Sequence, residues 1–478
     1  MRATDEREVK LAAGEGFELP ELGGEPLERR VFVSTYHDTP DYRLARAGVT
    51  LRHRVENRRG LWQLKLPRVD SRLELEEGGE AARPPTALRR LLPGLTRGSK
   101  LVPVARLRTR RAGVRVQDNG SSLADVFLDS VSVLEGRRVA RAFEEVEIEL
   151  VDGDRSDLRR LTKALQRAGA GDEETRPKVV QALGLQLVET RPAADPATSA
   201  DALRGMLALQ LGRMLTHDPG TRHGDDPEDV HQLRVATRRL RAFLRAARPL
   251  LAPEWADGLR LELGWLARAL GPVRDLDVML GYLRDASELL EPEEQAQFAP
   301  LLKQLEQQRG RARAALTRAL DGDRYLELLN RLEQAAETPH VTDEDHSLAD
   351  LWAREWKRWR RAVRALESEP ADAALHELRI KTKRARYAAE LAASTLGKPG
   401  ARFIEGAKNL QDVLGEHQDA FVLEERIRSL SAGSRSTGLH LAAGRMIERQ
   451  RARRASARAE YARAVRKLER LGRSAAKA

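Results

Sequence analysis

The chain has no cysteine in its 478 residues. Disulfides, cysteine-bound zinc and thiol catalysis are therefore excluded. Aromatic residues make up only 4%, too few for the stacking platforms that hold single-stranded nucleic acid. Nucleic acid is disfavoured as a partner on that ground. No apolar run reaches the roughly 20 residues that span a bilayer, and the N-terminus has no apolar export core. A cytoplasmic protein with no membrane partner is expected. Several chemical motifs are missing too. Gly397-Lys398 is followed by Pro399 and forms no phosphate loop. Ile380 stands where a zinc helix begun by His376-Glu377 would need its second histidine. There is no Gly-x-Ser-x-Gly elbow.

Charge is abundant. Charged residues are 33% of the chain, the net charge is +11 and the pI is about 10.0. A chain this basic suits a polyanion: nucleic acid, polyphosphate or an acidic membrane surface. Its length implies two or three domains. Residues 1–190 read as β-rich, 191–200 as a Pro- and Ala-rich linker, and 201–478 as helical.

In the first part, strand candidates follow one another at regular spacing: 31–36, 49–55, 62–66, 72–76, 104–111, 114–118, 122–133 and 143–150, with Asp118-Asn119-Gly120 a hairpin signal. Each has an apolar face and a charged face. Glu6, Glu8 and Lys10 share a face, as do Arg52 and Arg54. So do Arg72, Glu74 and Glu76, then Arg106, Arg108 and Arg110, and finally Glu145, Glu147 and Glu149. A sandwich with a wet outside would look the same. The sorting argues otherwise, because carboxylates cluster on the first and last strands while cations dominate several between. A closed barrel with charges inside would gather them into one tunnel.

Those residues resemble the CYTH domain of the triphosphate tunnel metalloenzymes. The likeness rests on Glu6-x-Glu8-x-Lys10, the block from Tyr36 to Arg54, Trp62–Pro67, Arg72-Leu73-Glu74, Leu107–Arg111, Asp129, Glu145-Val146-Glu147 and Lys178. It covers about residues 4–185. The resemblance implies an eight-stranded antiparallel tunnel that takes triphosphate compounds with Mg²⁺ or Mn²⁺. It implies metal ligands at Glu6, Glu8, Glu145 and Glu147, with Asp129 and Glu149 as further candidates. Phosphate ligands would be Lys10, Arg52, Arg54, Lys65, Arg108, Arg110 and Lys178. Glu6, Glu8, Lys10 and Lys65 are the implied catalytic set.

In the second part, His231-Gln232-Leu233-Arg234 recurs as His376-Glu377-Leu378-Arg379, each followed by further basic residues. Downstream, Leu270-Gly271 and Leu414-Gly415 open a second shared motif at nearly the same distance. At 100° per residue, His231, Arg234, Arg238 and Arg241 lie within about 80° of arc. His376, Arg379, Lys383 and Arg386 do the same. Such stripes repel themselves unless an anion sits there. Solvated basic faces and core histidines are the structural alternatives. This half resembles the CHAD domain over about 200–475. The resemblance implies two pseudo-symmetric helical bundles that bind inorganic polyphosphate through His231, Arg234, Arg238, Arg239 and Arg241, and through His376, Arg379, Lys383, Arg384 and Arg386.

The expected fold is thus α+β and multidomain, a β tunnel followed by an all-α domain. The expected activity is metal-dependent hydrolysis of inorganic triphosphate. A non-catalytic protein of polyphosphate granules and an enzyme acting on nucleotides or thiamine triphosphate are the rivals.

Overall fold

The computed structural model describes residues 1–14, 16–68, 70–118, 120–185, 196, 198–342 and 347–477. Contacts divide the chain into two units. One is Met1–Glu189 with Leu215–His223, the other Thr190–Met214 with Gly224–Ala478. Most of the expected linker, like Asn119 of the expected hairpin, lies outside the described residues. Ser199 and Ala200, placed in that linker by the sequence, already belong to a helix.

The first unit holds nine strands: β1 (Arg2–Glu6), β2 (Glu8–Ala13), β3 (Gly24–Asp38), β4 (Thr50–Glu56), β5 (Arg59–Pro67), β6 (Arg72–Glu77), β7 (Val102–Asp118), β8 (Ser121–Glu135) and β9 (Arg138–Leu150). Their order is β1-β6-β5-β4-β3-β7-β8-β9-β2, and every pairing is antiparallel. The first and last members of that order are successive in the chain, separated by Arg7 alone. The sheet therefore closes on itself through that residue. This corrects the expected count of eight. The segment 6–10 is two strands, because Glu6 pairs with Arg72 on β6 while Glu8 pairs with Glu149 on β9. Alternation survives the break, so Glu6, Glu8 and Lys10 still point the same way.

A second correction concerns β7, which runs unbroken where two strands were expected. Gly113 makes this possible: a Cβ there would lie 2.5 Å from the Phe127 ring and 2.7 Å from the Val126 carbonyl. At the β4–β5 turn, Asn57 and Arg58 both take positive φ, the geometry of a two-residue hairpin matched to strand twist.

The barrel is inside-out. Its outer face is apolar and shielded by helices. The short helices α1 (Arg43–Arg46), α2 (Thr86–Arg89) and α3 (Pro93–Thr96) cover Leu51, Trp62, Leu64 and Leu75. Helix α4 (Arg155–Arg167) packs Leu161 and Leu165 on Leu11, Val126, Val146 and Ile148. Each such leucine contributes about 1.5–3 kcal/mol by leaving water. Helix α5 (Lys178–Leu183) is different. Its Val179 and Val180 join Tyr36, Leu107 and Val131 in a separate apolar cluster.

The second set of helices begins with α6 (Ser199–His223), whose last nine residues group with the first unit. Then come α7 (Pro227–Ala246), α8 (Pro253–Ser287), α9 (Pro292–Asp321), α10 (Asp323–Glu337), α11 (Leu348–Arg364), α12 (Asp372–Leu391), α13 (Ala393–Ser431) and α14 (Thr437–Ala475). α7–α10 pack together, as do α11–α14, and the two groups meet along α7–α12 and α9–α14. These are the two repeat-related bundles. Helices α8 and α13 run on through Leu270-Gly271 and Leu414-Gly415, the two copies of the second shared motif. Among the described residues, no helix is long and apolar enough to cross a membrane.

Candidate functional site

Register decides which side chains meet inside the barrel, because residues directly opposite on paired strands share a face. Lys10 lies opposite Glu147, Glu8 opposite Glu149, and Asp129 opposite both Glu145 and Arg111. Across the barrel, Lys65 faces Thr50 and Glu74, and Arg52 faces Gln63. The result is a cavity of about 300 Å³. Its cations include Lys10, Arg52, Arg54, Lys65 and Lys178; Glu6, Glu147 and Glu149 are among its carboxylates.

Two carboxylate clusters reach it, Glu8–Glu147–Glu149 through Glu147 and Glu149 and Asp129–Glu145–Glu147 through Glu147, each with oxygens within 4.8 Å of one another. They are not equivalent. The second is already neutralised. Lys178 Nζ sits 3.0 Å from Asp129, 2.5 Å from Glu145 and 2.7 Å from Glu147, and Arg111 binds Asp129 in bidentate fashion. In the first, Lys10 (3.4 Å) and Arg72 (3.8 Å) share Glu8 Oε1. Glu8 Oε2 is buried with neither a hydrogen bond nor an ion pair among the described residues, whereas Glu145 Oε1, likewise without a hydrogen bond, is paired with Lys178. A buried carboxylate oxygen left unpaired is costly, and a divalent cation would satisfy it. Oxygen-rich carboxylate sets suit Mg²⁺ and Mn²⁺. Glu8, Glu147 and Glu149 therefore fit a metal better than Glu145 and Asp129 do.

Protonation follows the same geometry. Burial would raise the Glu8 pKa, but Lys10, Lys65 and Arg72 overcome it and hold the group at about 2. Glu147 is held well below the carboxylate range, burial being outweighed by Lys178, Lys10 and Arg111. Glu149 is pushed up by burial and by the Glu147 charge. Glu6 rises to about 7 through burial and its neighbour Glu74, although Lys65 contacts it at 2.5 Å. It belongs to neither carboxylate cluster.

In the helical unit, α7 and α12 bring the two repeats side by side. Arg234 lies 3.5 Å from Asp275, and a Cβ on Gly271 would stand 3.0 Å from its guanidinium. Arg379 is placed likewise against Gly415, with Asp419 acting on its charge. The shared Leu-Gly motif thus gives each arginine a smooth helix to lie on. Arg238, Arg241, Lys383 and Arg384 line one cavity. Burial and the neighbouring Arg379, Arg238 and Arg386 push Lys383 down to about 7.

Residues 5–176 match the family model of the CYTH domain, and residues 205–428 that of the CHAD domain. The chain is a CYTH–CHAD domain protein. Two relatives from Mycobacterium tuberculosis, "Uncharacterized protein Rv2226" and "Uncharacterized protein MT2285", are 28% identical over 438 residues, covering 85% of this chain and 83% of theirs. Among solved structures, PptA from Streptomyces chartreusis is 23% identical, covering 56% of this chain and 100% of its own at a TM-score of 0.48. The CHAD domain of Ricinus communis is 24% identical, covering 58% and 95% at 0.44. HpAC1 from Hippeastrum, described as having a dominant triphosphatase activity, is 18% identical, covering 39% and 98% at 0.24.

Within the CYTH unit, the structure gathers Glu6, Glu8, Lys10, Arg52, Arg54, Lys65, Asp129, Glu145, Glu147, Glu149 and Lys178 on the barrel's inner face. Arg108 and Arg110 are corrections. They pair with Val33 and Val31, one step out of phase with the inner row of Leu107, Thr109 and Arg111. The rule that apolar faces point outward fails here because Leu107 belongs to the cluster around α5. Arg111 is the inward arginine that sequence reasoning missed; its parity with Thr109 was the available signal. In the CHAD unit, Arg239 and Arg386 are held by Glu390, at 2.6 and 3.3 Å; the first pair ties α7 to α12 and the second lies within α12. His376 bonds Gln418 at 2.9 Å. His231 is half-buried, and burial together with Arg274 lowers its pKa.

Proposed function

We propose that the CYTH unit hydrolyses inorganic triphosphate, or a closely related tripolyphosphate compound, with Mg²⁺ or Mn²⁺. We propose further that the CHAD unit binds inorganic polyphosphate through Arg234, Arg238, Arg241, Arg379, Lys383 and Arg384. One observation carries the first reading: a closed, inside-out barrel sets a row of cations beside a buried carboxylate cluster with an unsatisfied oxygen. Glu8, Glu147 and Glu149 would hold the ion. When bound, it would polarise the phosphoryl group under attack. Arg52, Arg54, Lys10 and Lys65 neutralise the phosphate oxygens, and enclosure strengthens each contact. Lys178 and Arg111 hold Glu147 ionised and in place.

The lining also favours an inorganic substrate over a nucleotide. Two of its rings are already covered, Phe32 by Arg54 at 3.7 Å and Phe127 by Arg111 at 4.3 Å, and the third, Tyr36, is buried with its hydroxyl accepting from Arg52. None is free to stack on a base. The test is phosphate release from tripolyphosphate with Mg²⁺ or Mn²⁺, for wild type, Glu6→Ala and Glu8→Ala. Metal-dependent release lost in Glu8→Ala is expected. No release by pure wild-type protein would leave a binding protein instead.

A further inference from the structure

The CHAD repeat sets up a symmetry that the sequence then breaks. Arg238 corresponds to Lys383, Arg239 to Arg384, Arg241 to Arg386, and Arg245 to Glu390. The last pair reverses sign. On one side of the α7–α12 pair, the Glu390 carboxylate binds Arg239 and Arg386, and the Arg213 charge also acts on it. The cations there carry a built-in counter-ion. On the other side the equivalent position is Arg245; the Glu355 charge acts on it, but among the described residues no carboxylate forms an ion pair with it.

That second side is a cavity of about 450 Å³. Arg238, Arg241 and Arg245 of α7 face Lys383 and Arg384 of α12, and Arg260 of α8 joins them. Glu355 of α11 is the one carboxylate in the lining. Among the described residues, none of these five cations of α7 and α12 has an ion pair. Arg260 bonds Asp257 at 2.6 Å. An independent sign of a polar ligand site is Tyr387. It is 3% exposed, lines the same cavity, and its hydroxyl has no hydrogen-bond partner. Buried hydroxyls are normally paired. Like charges gathered around a cavity repel, and a multiply charged anion with many acceptor oxygens removes both faults at once.

We propose that the CHAD unit binds polyphosphate on one side of the α7–α12 pair only, in the cavity walled by Arg241, Arg245, Lys383 and Arg384. Glu390 closes the opposite side to anions. The inference rests on the polyphosphate reading above. It adds Arg245 and the Tyr387 hydroxyl to that reading and leaves Arg234 and Arg379, like Arg239 and Arg386, outside the walls of the cavity.

The experiment uses the full chain with Arg52→Ala and Arg54→Ala, which weaken the tunnel's own hold on phosphate. Long-chain inorganic polyphosphate is titrated at several salt concentrations, with circular dichroism and melting curves as fold controls. The Arg245→Gln/Arg384→Gln pair should lose at least roughly tenfold in affinity and flatten the logarithmic salt slope by about one to two. Tyr387→Phe should lose a few fold at unchanged slope. Arg386→Gln should stay within about twofold while melting earlier. Equal losses from Arg386→Gln and the Arg245/Arg384 pair would overturn one-sided binding, as would binding indifferent to that pair. If the tunnel-weakened parent chain binds no polyphosphate, the polyphosphate reading itself falls, and this inference with it.

Discussion

Lys178 is the side chain on which the tunnel's charge balance turns. It is buried among Asp129, Glu145 and Glu147, and they hold its pKa well above that of a free lysine against the cost of burial. Removing one partner of a buried ionic group strands the others. Lys178→Met should therefore cost about 3–5 kcal/mol, read from urea unfolding, besides any effect on phosphate release. Arg108→Gln, by contrast, should leave phosphate release unchanged, because Arg108 faces away from the cavity. Lys383 gives a pH prediction. Free, it titrates at about 7. A bound polyanion favours its charged form, so binding takes up a proton above that pH. Polyphosphate affinity should then be flat below pH 7 and fall by up to roughly tenfold per unit above it. Lys383→Arg should remove the slope; a slope that persists in that variant would refute the assignment.

At the scale of elements, the outer face of β3–β5 carries a second titration. His37 and His53 flank Trp62, with ring centroids 4.8 and 5.1 Å away. Both are buried, and burial lowers both pKa values below 6.5. Between 6.5 and those lower values, the unfolded chain binds protons that the folded chain refuses. The histidines' share of the stability should therefore be lost as pH drops below 6.5, while Glu6, raised to about 7, adds stability over the same range. The urea midpoint at pH 7.5 and 5, compared between wild type and His53→Gln, isolates the histidine share: the variant should lose less, or gain more, on going to pH 5. Strand patterning was largely legible from sequence. Period-two alternation put Glu6, Glu8, Lys10, Arg52, Arg54 and Lys65 on the correct face. It failed on β7, because burial in the cluster around α5 made the inward face apolar there. It also could not show that Arg7 splits one strand into two, since closure depends on partners more than sixty residues away. In the second half the sequence indicated helix but not where one helix runs on, such as α8 through Pro272.

Across the whole molecule, the net charge of +11 is distributed between an enclosed site and an open one. Screening acts on exposed charges and much less on buried pairs. Long-chain polyphosphate binding by the full chain should therefore weaken steeply with salt, while the catalytic constant for tripolyphosphate release should change little. Equal salt dependence of the two would place both events on the same surface. The sequence by itself determined that the chain has a β-rich half and a helical half, and that both carry rows of basic side chains suited to a polyanion. Those are consequences of composition, alternation and repeat, which are local properties. Only the tertiary structure decided that Arg111 and not Arg108 or Arg110 faces the tunnel, that Lys178 sits on Glu145 Oε1 while Glu8 Oε2 has no ion pair, and that Glu390 pairs with Arg239 and Arg386. Each of these depends on which distant charge lies within a few ångströms, and that is set by how the strands close and the helices pair.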